Sequence, residues 1–372
     1  MKSSFTRSCM EKLQPYVPGE QPKIKGLLKL NTNENPYSPS PRVLHAIRRK
    51  LDDGLRMYPD PTSDRLRMKI ASVYGFHLNQ VIAGNGSDDI LNMSVRAFVD
   101  EGERVQFPHP TYSLYPVLVQ IQNGRIHQIP FGANFNIDPS AFDSRAPLTL
   151  IANPNAPSGT ILSQKILRDL VRRLKGVLLI DEAYVDFAQE NSMALARRAR
   201  NVLVTRSLSK SFSLAGMRLG FAVGHAALVE ALFKVKDSYN LDRLAQAAGE
   251  AALSDMAYHR RCVTRIVRTR ERFRKELERR GWVCFPSQAN FLFVRPAGPP
   301  AIAWLTKLRT RKILVRWFNA PETRDYLRIT IGTDSQMNHF LSVLDQGAGQ
   351  KSYHLPQPLL AKEGNGEIYC QW

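Results

Sequence analysis

Two uninterrupted apolar runs constrain this chain most: VLLI at residues 177–180 and VLVT at 202–205. Neither alternates apolar with polar residues. A strand of that texture has to be covered on both faces, which is the situation of a parallel strand inside an α/β sheet. Stretches 81–99, 103–131 and 149–174 add further strands, turns and helices in alternation. Repeated strand–helix alternation predicts a mostly parallel sheet with helices on both faces. Beyond residue 253 the texture changes. A long basic helix is expected over 259–280, with Val263, Ile266, Val267, Phe273 and Leu277 at helical spacing. Strands within 283–295, 313–318 and 326–333 and a last helix at 335–345 follow. The expected fold class is therefore α/β: a large domain with a mostly parallel sheet flanked by helices, plus a smaller α+β domain. The expected division is an N-terminal arm at 1–40 that contributes to the small domain and the active site, a large domain at 41–245 and a small domain at 246–346. A tail at 347–372 has no periodicity and reads as disordered.

Parallel strands bring their carboxyl ends to one edge of the sheet, and ligands of open α/β sheets bind there. Polar residues collect at these ends. The 202–205 run breaks into a serine-rich loop, Ser207, Ser209, Lys210, Ser211 and Ser213, followed by Gly216, Arg218 and Gly220. Hydroxyls before an amine and a guanidinium after it suit a phosphate-bearing ligand with the amine poised above it. The alternative is a polar surface turn. The 177–180 run ends in Asp181, Glu182 and Tyr184. An aspartate where a buried strand ends needs a cation or several donors, so Asp181 is a helix cap, an ion-pair partner or part of a site. The GNGSD turn at 84–88 opens a helix and offers free backbone N–H groups to an anion. It is either a phosphate cup or a plainly capped helix. The cluster Asn31, Asn33, Glu34 and Asn35 is a solvated turn or the wall of a site, since three amides are costly to bury without partners.

No apolar run approaches the ~20 residues that a membrane helix requires. The opening MKSSFTRSCMEKLQPY has no apolar core of the signal-peptide kind. The four cysteines, Cys9, Cys262, Cys284 and Cys370, are far apart and form no CxxC pair. Neither a metal site nor a disulfide framework is expected, and a cytoplasmic protein is. There are 52 Lys+Arg against 33 Asp+Glu, a formal +19. Such a charge admits a nucleic-acid partner. No binding module or aromatic interleaving accompanies the arginine-rich helix, however, so its arginines read as a solvated face and no nucleic-acid partner is expected.

Taken in order, the segments LNTNENP, YPDP, GNGSDD, PTYSLY, NPNAPSG, IDEAYVDF, SLSKSFSLAGMRLGF, QANF, LVRWF and LRITIGT resemble those of the fold-type-I, pyridoxal-phosphate-dependent aminotransferases. Within that superfamily the pattern is most similar to the histidinol-phosphate aminotransferases. The likeness covers nearly the whole chain except its first residues and its tail. It implies pyridoxal 5'-phosphate as cofactor, held by Lys210 as a Schiff base and oriented by Asp181 at the pyridine nitrogen and Tyr184 at the phenolic oxygen. Tyr112 is expected on the ring face. The phosphate is expected at the backbone of Ser87 and Asp88, at Ser207 and Ser209, and at Arg218, with Tyr58 reaching it from a neighbouring subunit of a homodimer. The family's asparagine on the phenolic oxygen falls at Ala156 here, which leaves Asn155, or Asn153, to replace it. Arg328 and Arg316, with Tyr16, are expected to receive the phosphate of one substrate and the carboxylate of the other; Asn33 and Asn290 line the same pocket. The implied reaction exchanges an amino group between glutamate and imidazole-acetol phosphate in histidine biosynthesis. An aromatic-amino-acid aminotransferase or a threonine-phosphate decarboxylase shares Lys210, Asp181 and Arg218. A basic nucleic-acid-binding protein on a degenerate enzyme fold is the reading from another class, and it has no need of that set.

Overall fold

The computed structural model describes residues 5–11 and 13–346; the tail expected to be disordered, 347–372, lies outside them. After a short strand β1 (Leu28–Lys29) and helix α1 (Pro41–Arg48), the chain builds one seven-stranded sheet. Its strands are β2 (Val81–Asn85), β3 (Arg104–His109), β4 (Arg125–Pro130), β5 (Leu148–Ala152), β6 (Val177–Asp181), β7 (Val202–Ser207) and β8 (Leu219–Gly224). The order across the sheet is β2-β8-β7-β6-β5-β3-β4. Strands β4, β3, β5, β6 and β7 run parallel, and β8 runs antiparallel to both of its neighbours. Helices α2 (Asp64–Tyr74), α3 (Ser87–Phe98), α4 (Leu114–Ile121), α5 (Gln164–Arg173), α6 (Met193–Arg198), α7 (Ala226–Val235) and α8 (Arg243–Leu253) accompany it.

The two apolar runs behave as their composition requires. Every residue of β5, β6 and β7 is buried. Successive side chains of a strand point to opposite faces. Leu178 and Ile180 of β6 accordingly join Leu167 and Leu170 of α5 in one core, while Val177 and Leu179 join Ile90 of α3 and Val119 of α4 in the core on the other face. Cutting one of these side chains to alanine costs about 2–5 kcal/mol, so the middle of the sheet is a rigid base for whatever sits at its edge.

The rest of the chain has its own core. Helix α9 (Met256–Arg279) buries Ile266, Phe273 and Leu277. Strands β9 (Val283–Cys284), β10 (Phe291–Arg295), β12 (Arg316–Trp317) and β13 (Leu327–Thr330) form an antiparallel sheet in the order β12-β13-β10-β9. Strand β11 (Ile313–Leu314) pairs in parallel with β1, which ties the N-terminal arm to this unit. Helix α11 (Asp334–Asp345) begins with a capping box at Thr333 and Gln336. Helix α10 (Ala301–Thr310) was not expected. Prolines and a glycine just before it suggest a loop, but Pro300 takes the N-cap position and Ala301, Trp304 and Leu308 bury one face. The reading of α9 also needs one correction. Most of its arginines are exposed, but Arg270 is buried, pairs with Glu271 through Nε and donates to the carbonyls of Phe187 and Ala289.

Candidate active site

The carboxyl ends of β3, β5, β6 and β7 meet at one edge of the large sheet, and arm residues 31–35 cross it. Lys210 lies in the loop after β7, half-buried. Its Nζ donates to the Thr32 carbonyl at 3.0 Å. Asn35 Nδ2 donates to the carbonyls of Lys210 and Ser211, at 2.9 and 3.1 Å, and so pins the loop from the arm side. Burial, then the nearby charges of Arg328 and Arg218 acting against those of Glu34 and Asp88, lowers the Lys210 ammonium to about 8. About a tenth of the amine is then uncharged at pH 7, against less than a thousandth for an ordinary lysine. That is the condition for an amine nucleophile.

Asp181 closes β6 and is 4% exposed. It accepts hydrogen bonds from Tyr115 Oη (3.0 Å) and the Ala183 amide (3.1 Å). Burial drives its carboxyl up to about 7, against those two hydrogen bonds. No cation among the described residues relieves it. A buried carboxylate in that condition is short of a positive partner. Tyr115, fully buried on α4, was not singled out in the sequence; in YSLYPVLV it looks like one more apolar position of the helix.

Tyr184 is held from the arm. Asn33, at a left-handed φ of 57°, donates from Nδ2 to Tyr184 Oη at 3.0 Å. Asn33 is itself fixed by Thr330 Oγ1 and by Asn290 Nδ2, which donates to its carbonyl at 2.9 Å. Asn33 and Asn290 therefore orient a tyrosine. Asn155, expected at the cofactor's phenolic oxygen, has its side chain engaged elsewhere. Its Nδ2 donates to the Pro110 carbonyl and to Ser158 Oγ, and its Oδ1 accepts from Thr111 Oγ1. It braces the loop. Ala156 packs instead with Tyr184, Ala289 and Phe291.

The anion end is built from close backbone approach. Helix α3 has Gly86 as N-cap at φ 85°, with no side-chain cap from the described residues on its first amides. The left-handed φ of Gly86 favours glycine there, and a Cβ on Gly220 would lie 2.5 Å from the backbone nitrogen of Ser87, which leaves room only for glycine. Arg218 pairs with Asp88 at 2.9 Å, and Tyr112 Oη donates to the other Asp88 oxygen at 3.1 Å. Ser207 Oγ accepts from the Ser209 amide, while Ser209 Oγ is buried with no partner among the described residues. Uncapped amides, an orphan hydroxyl and a guanidinium together suit a phosphate.

At the other end, Arg316 and Arg328 are direct cross-strand partners of β12 and β13. Like charges placed opposite each other on a sheet are destabilising. Arg328 donates to the Asn31 carbonyl, keeps a buried Nε without a partner among the described residues, and lies between the rings of Phe291 and Phe318, 5.3 Å from each. Arg316 donates to the Val17 and Pro18 carbonyls and lies over the same Phe318 ring, also at 5.3 Å. Phe318 is a further residue that sequence reading passed over. Tyr16 contacts Tyr112 edge-on at 5.8 Å. Two opposed guanidinia at the mouth of a site call for an anionic ligand. Tyr58 alone stands apart. It is 77% exposed and stacks on Tyr239 at 4.4 Å.

The chain matches the family described as aminotransferase class I and II over residues 25–344. A histidinol-phosphate aminotransferase of Citrifermentans bemidjiense is 45% identical over 341 residues, 91% of this chain and 97% of that relative. One from Synechocystis sp. is 46% identical over 326 residues, 88% and 93% of the two chains. The crystal structure of histidinol-phosphate aminotransferase from Sinorhizobium meliloti in complex with pyridoxal-5'-phosphate superposes with a TM-score of 0.85 at 25% identity, covering 93% of this chain and 98% of that one. This chain belongs to the aminotransferase class I and II family.

Proposed function

We propose that this protein is a histidinol-phosphate aminotransferase: it uses pyridoxal 5'-phosphate to exchange an amino group between L-glutamate and imidazole-acetol phosphate, forming L-histidinol phosphate in histidine biosynthesis. The observation that carries the substrate assignment is the opposed pair Arg316 and Arg328, a charge arrangement suited to a phosphate in one half-reaction and a carboxylate in the other. The names of its relatives point the same way.

The donor set fits the cofactor on its own terms. Among the described residues Asp181 has no cation beside it, and a protonated pyridine nitrogen would supply one. Ser209 Oγ has no partner among the described residues, and a phosphate oxygen would supply one. When bound, the cofactor's ring accepts the electron pair released as the substrate's α-C–H bond breaks. Asp181 keeps the ring nitrogen protonated. Tyr184 Oη, oriented by Asn33, donates to the phenolic oxygen. Ser207, Ser209, Arg218 and the first amides of α3 bind the phosphate, and Tyr112 covers the ring. Lys210 Nζ would hold the cofactor at its aldehyde carbon, with water as the leaving group, and, displaced by the substrate's amine, would hold the proton that leaves the substrate.

A second copy of the chain completes the proposal. Leu51, Leu55, Met57, Tyr58 and Tyr239 are exposed, and Tyr58 reaches the partner's phosphate in a homodimer with shared sites. The arm at 1–40, large domain at 41–245 and small domain at 246–346 remain the proposed division. No helix among the described residues is long and apolar enough to cross a membrane; cytoplasmic residence is part of the proposal, as is the lack of a nucleic-acid partner. The test is turnover of histidinol phosphate with 2-oxoglutarate, followed by glutamate release, against phenylalanine and tyrosine as rival donors. Preference for an aromatic amino acid overturns the substrate assignment. Mixing Tyr58→Phe with Lys210→Ala protein tests the shared site: hybrid dimers recover one intact site only if Tyr58 acts across the interface.

A further inference from the structure

A buried charge network behind the lysine loop is used by none of the roles above. Arg206, at the end of β7, grips Glu182 through Nε (2.9 Å) and Nη2 (2.8 Å), and Glu182 also accepts the Ser192 amide. Arg206 extends its other arm to Asp186 at 3.4 Å and lies over the Tyr74 ring. Asp186 Oδ2 accepts from Ser211 Oγ at 2.5 Å and from His259 Nε2 at 3.3 Å. Burial alone raises a carboxyl, but His259, Arg206 and Ser211 hold Asp186 at about 2. It is a fixed anion.

His259 occupies an unusual place in this network. It is on the first turn of α9, in the unit that follows the large sheet, and it is buried. It reaches both residues that follow Lys210. Through Asp186 it holds the hydroxyl of Ser211, and its ring stacks directly on Phe212, with centroids 4.0 Å apart. Its Nδ1 meets no partner among the described residues, so Asp186 and Phe212 are what hold the ring. Asn35 grips the carbonyls of Lys210 and Ser211 from the opposite side. The peptide that carries the amine is thus clamped between the arm and α9.

We propose that His259 is a positioning residue for Lys210, acting through Asp186 and Ser211 to hold the amine where it meets the cofactor. A misplacement of ~1 Å at a reacting group costs up to about a hundredfold in rate, so a clamp on the lysine peptide has kinetic weight without touching the reactants. The proposal rests on the reading that Lys210 captures the cofactor.

The experiment follows pyridoxal-phosphate capture by cofactor-free protein in stopped flow across pH 6–10. His259→Phe keeps the ring stack and removes the donor; His259→Gln keeps a donor that reaches Asp186 and removes the stack; Ser211→Ala breaks the next link. His259→Phe and Ser211→Ala are expected to slow capture by about tenfold at pH 8 and to raise the midpoint of its pH dependence, while His259→Gln stays within about threefold of wild type. The double variant His259→Phe/Ser211→Ala is expected to lose no more than either single one, because both cut one chain of contacts. Wild-type capture rates in His259→Phe overturn the proposal. So does an equal loss in the Phe and Gln variants that follows their fall in melting temperature, since that is packing alone. Lys210→Ala separates the two readings: if it still captures the cofactor covalently, the role of Lys210 fails; if it does not, and the His259 variants behave as wild type, only the role of His259 fails.

Discussion

Asp181→Asn is predicted to make the cofactor-free protein more stable and the enzyme nearly inert. In the cofactor-free protein this carboxyl sits at about 7 against an ordinary value of 3.8. Below pH 3.8 it is protonated in both folded and unfolded chains and contributes nothing. Between 3.8 and 7 the unfolded chain ionises while the folded one does not, so folded stability falls as pH rises. Above 7 the full penalty of about 4 kcal/mol is in place, three units at 1.36 kcal/mol each. Asparagine removes that charge and still accepts the Ala183 amide. It serves Tyr115 Oη less well, a loss of about 1 kcal/mol. The net gain at pH 8 is about 2–4 kcal/mol, or roughly 3–5 °C in melting temperature for a chain this long. The gain should vanish as pH approaches 4. Cofactor reverses the order: wild type gains more from pyridoxal phosphate than the variant does, because only the carboxylate pairs with the ring nitrogen. Calorimetry of both proteins, with and without cofactor, at pH 5 and pH 8 reads all of this. A variant no more stable than wild type at pH 8 without cofactor refutes the claim that Asp181 lacks a cation.

Tyr115→Phe keeps the ring packed on Phe107 but removes the hydroxyl on Asp181; cofactor affinity measured by titration at pH 7 should fall by about tenfold or more, the worth of a hydrogen bond to a charged group. Gly220→Ala sets a Cβ 2.5 Å from backbone atoms of Gly86 and Ser87, so it should destabilise by about 1–3 kcal/mol and weaken phosphate binding, seen as a higher inhibition constant for inorganic phosphate competing with the cofactor. Arg328→Gln should raise KM for both histidinol phosphate and glutamate by about 10- to 100-fold, whereas an effect on one substrate alone would mean that the two anions bind at separate places.

The sheet was legible because residues 177–180 and 202–205 leave a buried parallel strand little alternative. Lys210 and Asp181 were legible as candidates because parallel strands deliver their carboxyl ends to one edge; Arg218 reaches that edge from the start of the antiparallel β8. What escaped notice depends on contacts between distant parts of the chain. Tyr115 bonds a carboxylate 66 residues further on, and nothing in its own helix marks it. His259 reaches Asp186 across 73 residues from a helix whose composition says only that it is basic. Asn155 looked available beside Ala156, but the loop folds so that Pro110, Thr111 and Ser158 engage it. Helix α10 hid behind prolines that, at its N-cap, help to start it. The opposition of Arg316 and Arg328 needs the strand register, which is set by pairing and not by spacing in sequence.

Lys210 is proposed as the amine that holds the cofactor. Load the protein with pyridoxal phosphate, reduce it with borohydride, digest it, and locate the added mass by tandem mass spectrometry. One modified site is expected, Lys210, with none in Lys210→Ala. Modification centred on another lysine, or none at all in wild type, contradicts it.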